Sequence, residues 1–328
     1  MDFLERLRYD EIDLILWFQA LPGWLEAPLK VVSALGTNGF VVVVLSVVYW
    51  CVNPRFGLRL GLVVLLSAGL NSVGKLLLQA PRPYWIDARV HAFAREPTFG
   101  IPSGHAQTAT VFAGWLALQA RKPYAVGAAV VFVALMAWSR LYLGVHFLSD
   151  VAAGILVGLV ILLLVSRLEK PVMAWWRART IGVQVLLALA VSLGVVALAV
   201  LASLAGAGWS LPDAWRFAGF VAPWEESRLA AIAGGLFGVI AGGSVLFARG
   251  GFSAAGSLVA RGLRWLVGVA GAVVIWLATR MIAVEGSIVL TEAAAYLGYA
   301  ALSLWAVLGA PLVFVALGLA ERARPVAP

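Results

Sequence analysis

Long apolar runs separated by short polar connections dominate the sequence. Each run approaches the roughly 20 residues that a helix needs to cross a bilayer. Nine runs have this character, at about 31–50, 58–79, 104–120, 124–141, 146–166, 181–206, 229–248, 263–284 and 292–320. The pattern predicts an all-α, polytopic transmembrane helical bundle of about nine spans.

The first apolar segment is shorter. Within residues 9–28, the run that begins at Leu14 is interrupted by Gln19, Pro22 and Glu26. We expect a helix that lies in the membrane interface, or a tenth span if it crosses. Five acidic residues precede Leu14. This start does not resemble the basic n-region of a cleavable signal peptide, so none is expected.

These runs suggest three parts. We expect an interfacial N-terminal helix at 1–30, a membrane core at 31–170 and a four-helix transmembrane domain at 171–328. The last part is rich in Gly and Ala, the small residues that allow close contact between helices in lipid. We expect packing or dimerisation to be its role, and a homo-oligomer is left open.

Composition supports a membrane protein, since 62% of the residues are hydrophobic and only 12% are charged. The net charge of +8 could indicate nucleic acid as a partner. However, the basic residues lie in short connections and not in a patch with interleaved aromatics, so we expect no nucleic-acid partner. A single cysteine, Cys51, excludes an internal disulfide.

The connections also predict an orientation. Segments 51–59, 121–123, 167–180, 249–264 and 321–328 alternate with the other loops and hold 13 of the 24 Lys and Arg residues. By the positive-inside rule these segments are cytoplasmic. The opposite loops then face outward, among them the loop that contains Trp209, Trp215 and Trp224.

Three ionisable residues in the Ser139–Asp150 stretch stand out: Arg140, His146 and Asp150. Ionisable residues in membrane-embedded sequence are candidates for function. His146 and Asp150 are four positions apart, so on a helix they share a face and the carboxylate can orient the imidazole. This is half of a nucleophilic site, although a structural His–Asp pair explains the spacing equally well.

Two further motifs carry polar groups. Lys75 and Arg82 end the 58–79 run and can bind an anion with several oxygens, or can simply extend their charges to the interface. Ser103, Gly104 and His105 begin the 104–120 run. Ser103 is a predicted N-cap, Gly104 allows close backbone approach to an anion, and His105 can protonate a leaving oxygen.

Topology places all three motifs at the same membrane face. Together they supply a nucleophile, an orienting carboxylate, a general acid, several cations and backbone donors. No carboxylate or thiolate cluster suited to a metal accompanies them, so the expected site holds no metal and no cofactor. Phosphoryl transfer needs this set of groups.

The motifs Lys-x6-Arg-Pro, Pro-Ser-Gly-His and Ser-Arg-x5-His-x3-Asp, in this order, resemble the three signature motifs of the type 2 phosphatidic acid phosphatase (PAP2) superfamily. The resemblance covers about residues 9–166 and ends near residue 170, so it implies nothing about 171–328. Many bacterial members have a transmembrane helix before the interfacial one, which is not evident here.

The resemblance implies specific roles. His146 attacks phosphorus to form a phosphohistidine, Asp150 orients it, and His105 protonates the leaving oxygen and then activates water. The phosphate is held without metal by Lys75, Arg82, Ser103, Gly104 and Arg140.

The resemblance also implies a lipid phosphate phosphatase whose site faces outward, as an integral protein of a bacterial inner membrane. Undecaprenyl diphosphate is the leading expected substrate. Phosphatidate, phosphatidylglycerophosphate and sphingoid phosphates suit the same residues. The alternatives are a lipid phosphotransferase and a transporter coupled to the phosphatase; the late runs contain few of the polar residues that a translocation path needs.

Two polar groups lie outside the motifs. His91 has no evident partner in the sequence, and we expect a loop residue. Arg280 and Glu285, near the end of the 263–284 run, are expected to form a structural pair.

Overall fold

The computed structural model describes residues 3–206, 208–215, 217, 219, 226–281 and 287–323. Throughout these ranges the regular elements are helices, which confirms the predicted all-α class. The α-helices are α1 (Phe3–Gln19), α2 (Glu26–Ala34), α3 (Asn38–Val47), α4 (Pro54–Leu78), α5 (Pro83–Ile86), α6 (Gly104–Ala120), α7 (Pro123–Tyr142), α8 (Leu148–Arg177), α9 (Ile181–Ala205), α10 (Glu226–Ala248), α11 (Leu258–Met281), α12 (Ile288–Leu304) and α13 (Ala310–Ala316).

Seven helices in the described ranges are long and apolar enough to cross a membrane, and a bent pair would make eight. The nine predicted spans correspond to these seven helices, the bent pair and α6. With 17 residues, α6 is shorter than each of the seven. Most predicted runs agree with helices to within a few residues, as for α4, α6, α7 and α9. The protein is therefore a polytopic membrane protein, and the count of nine stays a prediction.

The bent pair replaces the single predicted span at 31–50. The chain turns between α2 and α3, and the segment that follows is bent by 53° from the direction of the segment before it. Gly36 lies in the turn, where an added Cβ would be only 2.9 Å from Cδ2 of His105 and 2.8 Å from Cε of Met136. Any other residue would therefore require these side chains to move. Apolar periodicity carries no sign of this turn.

The α8 helix continues past its predicted end near residue 166. It includes Pro171 and ends at Arg177, inside the stretch expected to be a basic connection. The side-chain amide of Gln184 donates to the carbonyls of Trp176 and Arg179, both at 3.0 Å, and so joins the end of α8 to the start of α9.

Two compact units are interleaved along the sequence. The first contains residues 1–41, 70–167 and 199–225, and the second contains residues 42–69, 168–198 and 226–328. The predicted division at residues 30 and 170 stays a prediction.

The first unit holds all eight predicted site residues. Its hydrophobic core joins α1, α5, the loop after α5 and the loop after α7 through Ile12, Trp85, Phe99 and Phe147, respectively. Helix α6 packs on α7, and α8 packs on the start of α6. Gly154 of α8 lies against the backbone there, where an added Cβ would be 2.5 Å from the carbonyl oxygen of Ser103.

The second unit is built largely on α10 and α12. At Gly234 and Gly238 of α10, an added Cβ would overlap the backbone of α12 near Tyr296 and Ala300. Such small residues let helix backbones approach closely in lipid. In the same unit, Tyr49 and Trp50 donate side-chain hydrogen bonds to the carbonyls of Val307 and Ala306.

The contact at Gly154 can be tested by substitution. We expect Gly154→Ala to destabilise the protein by about 1–3 kcal/mol, because overpacking forces backbone shifts. Gly127→Ala on α7 is the matched control, since its added Cβ meets no atom within 4 Å. Thermal unfolding in detergent measures both, and an unfolding midpoint for Gly154→Ala equal to that of the wild type would contradict the packing described here.

Candidate active site

Arg82 is the central side chain of the candidate site. It is 0% exposed, between α4 and α5. Its Nε donates to the carbonyl of Thr98 at 2.6 Å, and Nη2 donates to that of Phe99 at 3.2 Å. Its Nη1 donates to the carbonyl of Val145 at 2.9 Å and lies 3.3 Å from Nε2 of His146. Complete burial excludes the alternative in which Arg82 extends to the interface.

Lys75 approaches the same loop from the last turn of α4. It is also buried, and its Nζ donates to Oγ1 of Thr98 at 3.1 Å. Arg82 Nη2 binds that hydroxyl as well, at 3.2 Å. Thr98 therefore joins the two cations of the first motif, a role that the sequence did not reveal.

Ser103 lies at the N-cap position of α6, but its side chain makes no capping bond. Within the described part of the chain, its buried Oγ has no hydrogen-bond partner. Its backbone N–H donates to the carbonyl of Asp150 at 2.9 Å. The predicted capping bond is thus absent, which leaves the hydroxyl available to a ligand.

Sequence reasoning missed two polar residues, Asn71 and Gln107, that lie beside the backbone at Ser103. Asn71 of α4 donates to the carbonyl of Pro102 at 3.1 Å and to Oε1 of Gln107 at 2.8 Å. Its Oδ1 lies 3.1 Å from the point where a Cβ on Gly104 would stand. A larger residue at 104 would therefore crowd Asn71 at the start of α6.

His146 and Asp150 form the predicted pair. Nδ1 of His146 lies 3.2 Å from Oδ2 of Asp150, and both side chains are buried. His146 precedes α8 instead of lying within it, so the pair does not share a helical face. It forms because Asp150 is in the first turn and its Oδ2 also accepts from the N–H of Phe147, at 3.0 Å.

This geometry determines the chemistry of the imidazole. With the Nδ1 proton directed at Asp150, Nε2 carries the lone pair and accepts from Arg82. Burial, and then the charge of Arg82, keep the pKa of His146 well below its usual value. The ring is therefore neutral near neutral pH and its Nε2 can act as a nucleophile.

Arg140 approaches from the last turn of α7. Its Nη1 donates to Oγ of Ser33 at 2.5 Å, and its Nη2 donates to Oε1 of Glu96 at 2.9 Å. Its buried Nε has no partner among the described residues. Like the hydroxyl of Ser103, this N–H can serve an anion.

Glu96 is the site residue that the motifs did not contain. Besides Arg140, its carboxylate faces Arg82 at 3.8 Å and Nδ1 of His105 at 4.0 Å. Burial alone would raise the pKa of Glu96, but the charges of Arg82 and Arg140 outweigh it and lower that pKa to about 2. Several buried cations in one pocket require a counter-ion. This requirement is the signal by which sequence reasoning could have found an acidic residue such as Glu96.

Glu11 of α1 supports the pair from the other side. Its carboxylate accepts from the N–H of Ser149 at 2.9 Å and from Oγ of Ser149 at 2.8 Å. It thereby binds the start of α8 beside Asp150. Burial raises the pKa of Glu11 despite these hydrogen bonds.

Other polar residues highlighted by the sequence lie apart from this cluster. Gln19 binds the backbone N–H and carbonyl of His91, and the His91 ring contacts Phe93. Arg280 stacks on the ring of Trp276, with 4.9 Å between its Cζ and the ring centroid, whereas Glu285 lies outside the described residues.

The tryptophans of the late connection pack near the site loop. Trp209 and Trp215 contact Phe99, and Trp215 also contacts Trp85. Trp224 lies outside the described residues. This aromatic group packs on Phe99, the residue whose carbonyl binds Arg82.

The eight predicted residues therefore meet in one pocket, together with Glu96. The pocket combines a neutral imidazole, a second histidine, three cations and the Ser103 hydroxyl, which has no hydrogen-bond partner among the described residues. Among the residues described, no three His, Cys, Asp or Glu side chains are grouped as metal ligands. These groups can bind and polarise a tetrahedral oxyanion.

Comparison with known families gives two matches. The sequence model of the PAP2 superfamily matches residues 56–174, which include all eight predicted site residues. The model described as a PAP2 superfamily phosphatase transmembrane extension matches residues 230–322. The superfamily model thus ends at residue 174, close to the expected end of the resemblance near residue 170, and a separate extension model covers the late helices, about which the three motifs implied nothing.

Curated relatives agree with this assignment. Over 143 residues the chain is 31% identical to sphingosine-1-phosphate phosphatase 2 of Mus musculus, covering 40% of this chain and 39% of that protein. Over 162 residues it is 30% identical to phosphatidylglycerophosphatase B of Bacillus subtilis strain 168, covering 45% of this chain and 77% of that protein. The chain thus spans about two fifths of the mammalian relative.

Among solved structures, the chain is similar to a transmembrane PAP2 type phosphatidylglycerolphosphate phosphatase from Bacillus subtilis. The TM-score is 0.44 at 24% identity, over 51% of this chain and 87% of that one. The family matches and the coverage of phosphatidylglycerophosphatase B show that the chain belongs to the PAP2 superfamily and carries its transmembrane extension.

Proposed function

We propose that this protein hydrolyses the phosphate of membrane lipids through a phosphohistidine formed on His146. The observation that supports this proposal most directly is the arrangement of the His146 imidazole, in which Nδ1 is bound to Asp150 and Nε2 faces Arg82. Family membership supports the reaction class. The reaction needs no metal in this proposal, because the positive charge comes from side chains.

In the first step, the lone pair of His146 Nε2 attacks phosphorus and the bond to the ester oxygen breaks. The electron pair of that bond goes to the departing oxygen, which takes a proton from His105. Asp150 stabilises the positive charge that develops on the imidazole. In the second step, His105 removes a proton from water, the water oxygen attacks phosphorus, and the P–N electrons return to Nε2.

The cations have a binding role. Lys75, Arg82 and Arg140 would hold the non-bridging phosphate oxygens, and the Ser103 hydroxyl and Gly104 N–H would add neutral donors. The buried Nε of Arg140 and Oγ of Ser103 lack partners among the described residues, which supports a ligand at that position. Charge on these oxygens is stabilised without any rearrangement of solvent.

The proposed substrate is a lipid phosphate that reaches the site from the bilayer. Relatives are named for sphingosine 1-phosphate and for phosphatidylglycerophosphate, both of which carry a phosphate monoester. Undecaprenyl diphosphate, the leading expectation from the motifs, stays a prediction, as does phosphatidate. We propose an outward-facing site in a bacterial inner membrane, supported by the distribution of Lys and Arg.

The nucleophile is tested by replacing it. We expect His146→Asn to lower phosphate release by about 10³-fold or more, as losses of a covalent nucleophile do. The assay measures inorganic phosphate from purified protein in detergent with a chelator present. Its substrates are polyprenyl diphosphate, phosphatidate, phosphatidylglycerophosphate and a sphingoid phosphate.

His91→Asn is the matched control, because His91 lies apart from the cluster and should keep full activity. Loss of wild-type activity on adding chelator would contradict the metal-free reaction. Transfer of phosphate to a second lipid instead of water would assign the protein as a phosphotransferase.

The two roles of His105 can be separated with a substrate whose leaving group needs no proton. With 4-nitrophenyl phosphate, we expect His105→Asn to release about one equivalent of nitrophenolate per protein in a burst, followed by slow turnover. The reason is that attack proceeds without the acid, whereas hydrolysis of the phosphohistidine lacks its base. Stopped-flow absorbance measures the burst, and a slow linear release with no burst would refute this assignment.

A further inference from the structure

Glu96 places a negative charge inside the anion pocket. Its Oε1 is 2.9 Å from Nη2 of Arg140 and 4.0 Å from Nδ1 of His105, and its Oε2 is 3.8 Å from Nη2 of Arg82. Lys75 also acts electrostatically on this carboxylate. The carboxylate therefore lies among the groups assigned to phosphate binding.

The position of Glu96 is built into the loop. The Tyr84 hydroxyl accepts from the backbone N–H of Glu96 and donates to its carbonyl, both at 2.9 Å. The backbone is thus fixed on both sides of the residue, while the side chain remains 25% exposed. A ligand that enters the pocket meets this carboxylate at the exposed side of the cations.

The low pKa of Glu96 keeps it ionised at any working pH of the protein. Lys75, Arg82 and Arg140 contribute three positive charges, and the carboxylate of Glu96 offsets one of them next to Arg140 and Arg82. A phosphate monoester carries about −1.5 to −2 at neutral pH. A diphosphate carries more negative charge than a monoester, so it brings additional negative charge toward the Glu96 carboxylate.

We infer that Glu96 is a specificity-determining residue that makes the site favour lipid phosphate monoesters over lipid diphosphates. This inference rests on the proposed function and names its substrate class. Repulsion of one anionic group is a way to select between ligands that share every other contact. It opposes the expectation that undecaprenyl diphosphate is the preferred substrate.

Two other roles for Glu96 make different predictions. A carboxylate that only competes with phosphate for Arg140 would weaken the binding of monoester and diphosphate alike. A carboxylate that only holds Arg140 in place would strengthen both alike. The quantity that separates these roles is the ratio of the two activities, not either activity alone.

The experiment compares farnesyl phosphate with farnesyl diphosphate, which share a lipid tail and differ in the headgroup. We expect wild-type protein to have the higher kcat/KM on the monophosphate. In Glu96→Gln, which keeps the size of the side chain and removes its charge, we expect the diphosphate-to-monophosphate ratio to rise by about 10-fold. Glu96→Asp, which keeps the charge, should retain the wild-type preference.

Asp87→Asn is the matched control. Asp87 lies on the same loop, but its carboxylate binds Arg89 outside the pocket. Its loss should leave the ratio unchanged. A ratio that stays at the wild-type value in Glu96→Gln overturns the inference, whether both activities rise or both fall. A wild-type preference for the diphosphate overturns it as well, without any variant.

Headgroup binding separates this inference from the proposed function. Calorimetric titration of the purified protein with inorganic phosphate and with pyrophosphate requires no turnover. We expect Glu96→Gln to gain affinity for pyrophosphate relative to phosphate. If the protein released no phosphate from any lipid yet showed this shift, the proposed reaction would fail and the charge selection would stand; an unchanged relative affinity would overturn the selection.

Discussion

The burial of Arg82 is the constraint on which the site depends. An unpaired charge in the protein interior is costly, so the guanidinium must have acceptors on every side. The carbonyls of Thr98, Phe99 and Val145 supply them, and these residues belong to two loops that are distant in sequence. The need to satisfy one cation therefore brings the loop after α5 to the connection between α7 and α8, and it places Nη1 beside the imidazole of His146.

Helix packing positions the remaining groups around this centre. Gly154 lets α8 approach the backbone at Ser103, and the Ser103 N–H binds the carbonyl of Asp150. The start of α6 and the start of α8 are thus joined directly. Because interiors are close-packed, a small displacement of either helix reaches both the His146–Asp150 pair and the unpartnered hydroxyl of Ser103.

The sequence predicted most helices because a span requires a long apolar run, and it predicted the site because buried charges are rare in such runs. The sequence did not predict the features that depend on tertiary contacts. Gly36 leaves room for the side chains of His105 and Met136 at the turn, and Gln184 binds the end of α8 through the carbonyl of Trp176. Asn71, Thr98 and Glu11 act through partners far along the chain, so no local pattern identifies them.

Glu96 shows why a motif describes a site incompletely. The motifs supply cations, and three cations in a buried pocket repel one another unless a counter-ion or ligand is present. The Glu96 carboxylate on the intervening loop offsets this repulsion, and in the proposed function it would also lie near the bound phosphate. The residue that offsets the cations would therefore also contribute to the charge that the proposed substrate meets. The proposed selection by charge is thus linked to folding, since the burial that keeps the His146 ring neutral also makes an uncompensated cluster of cations unstable.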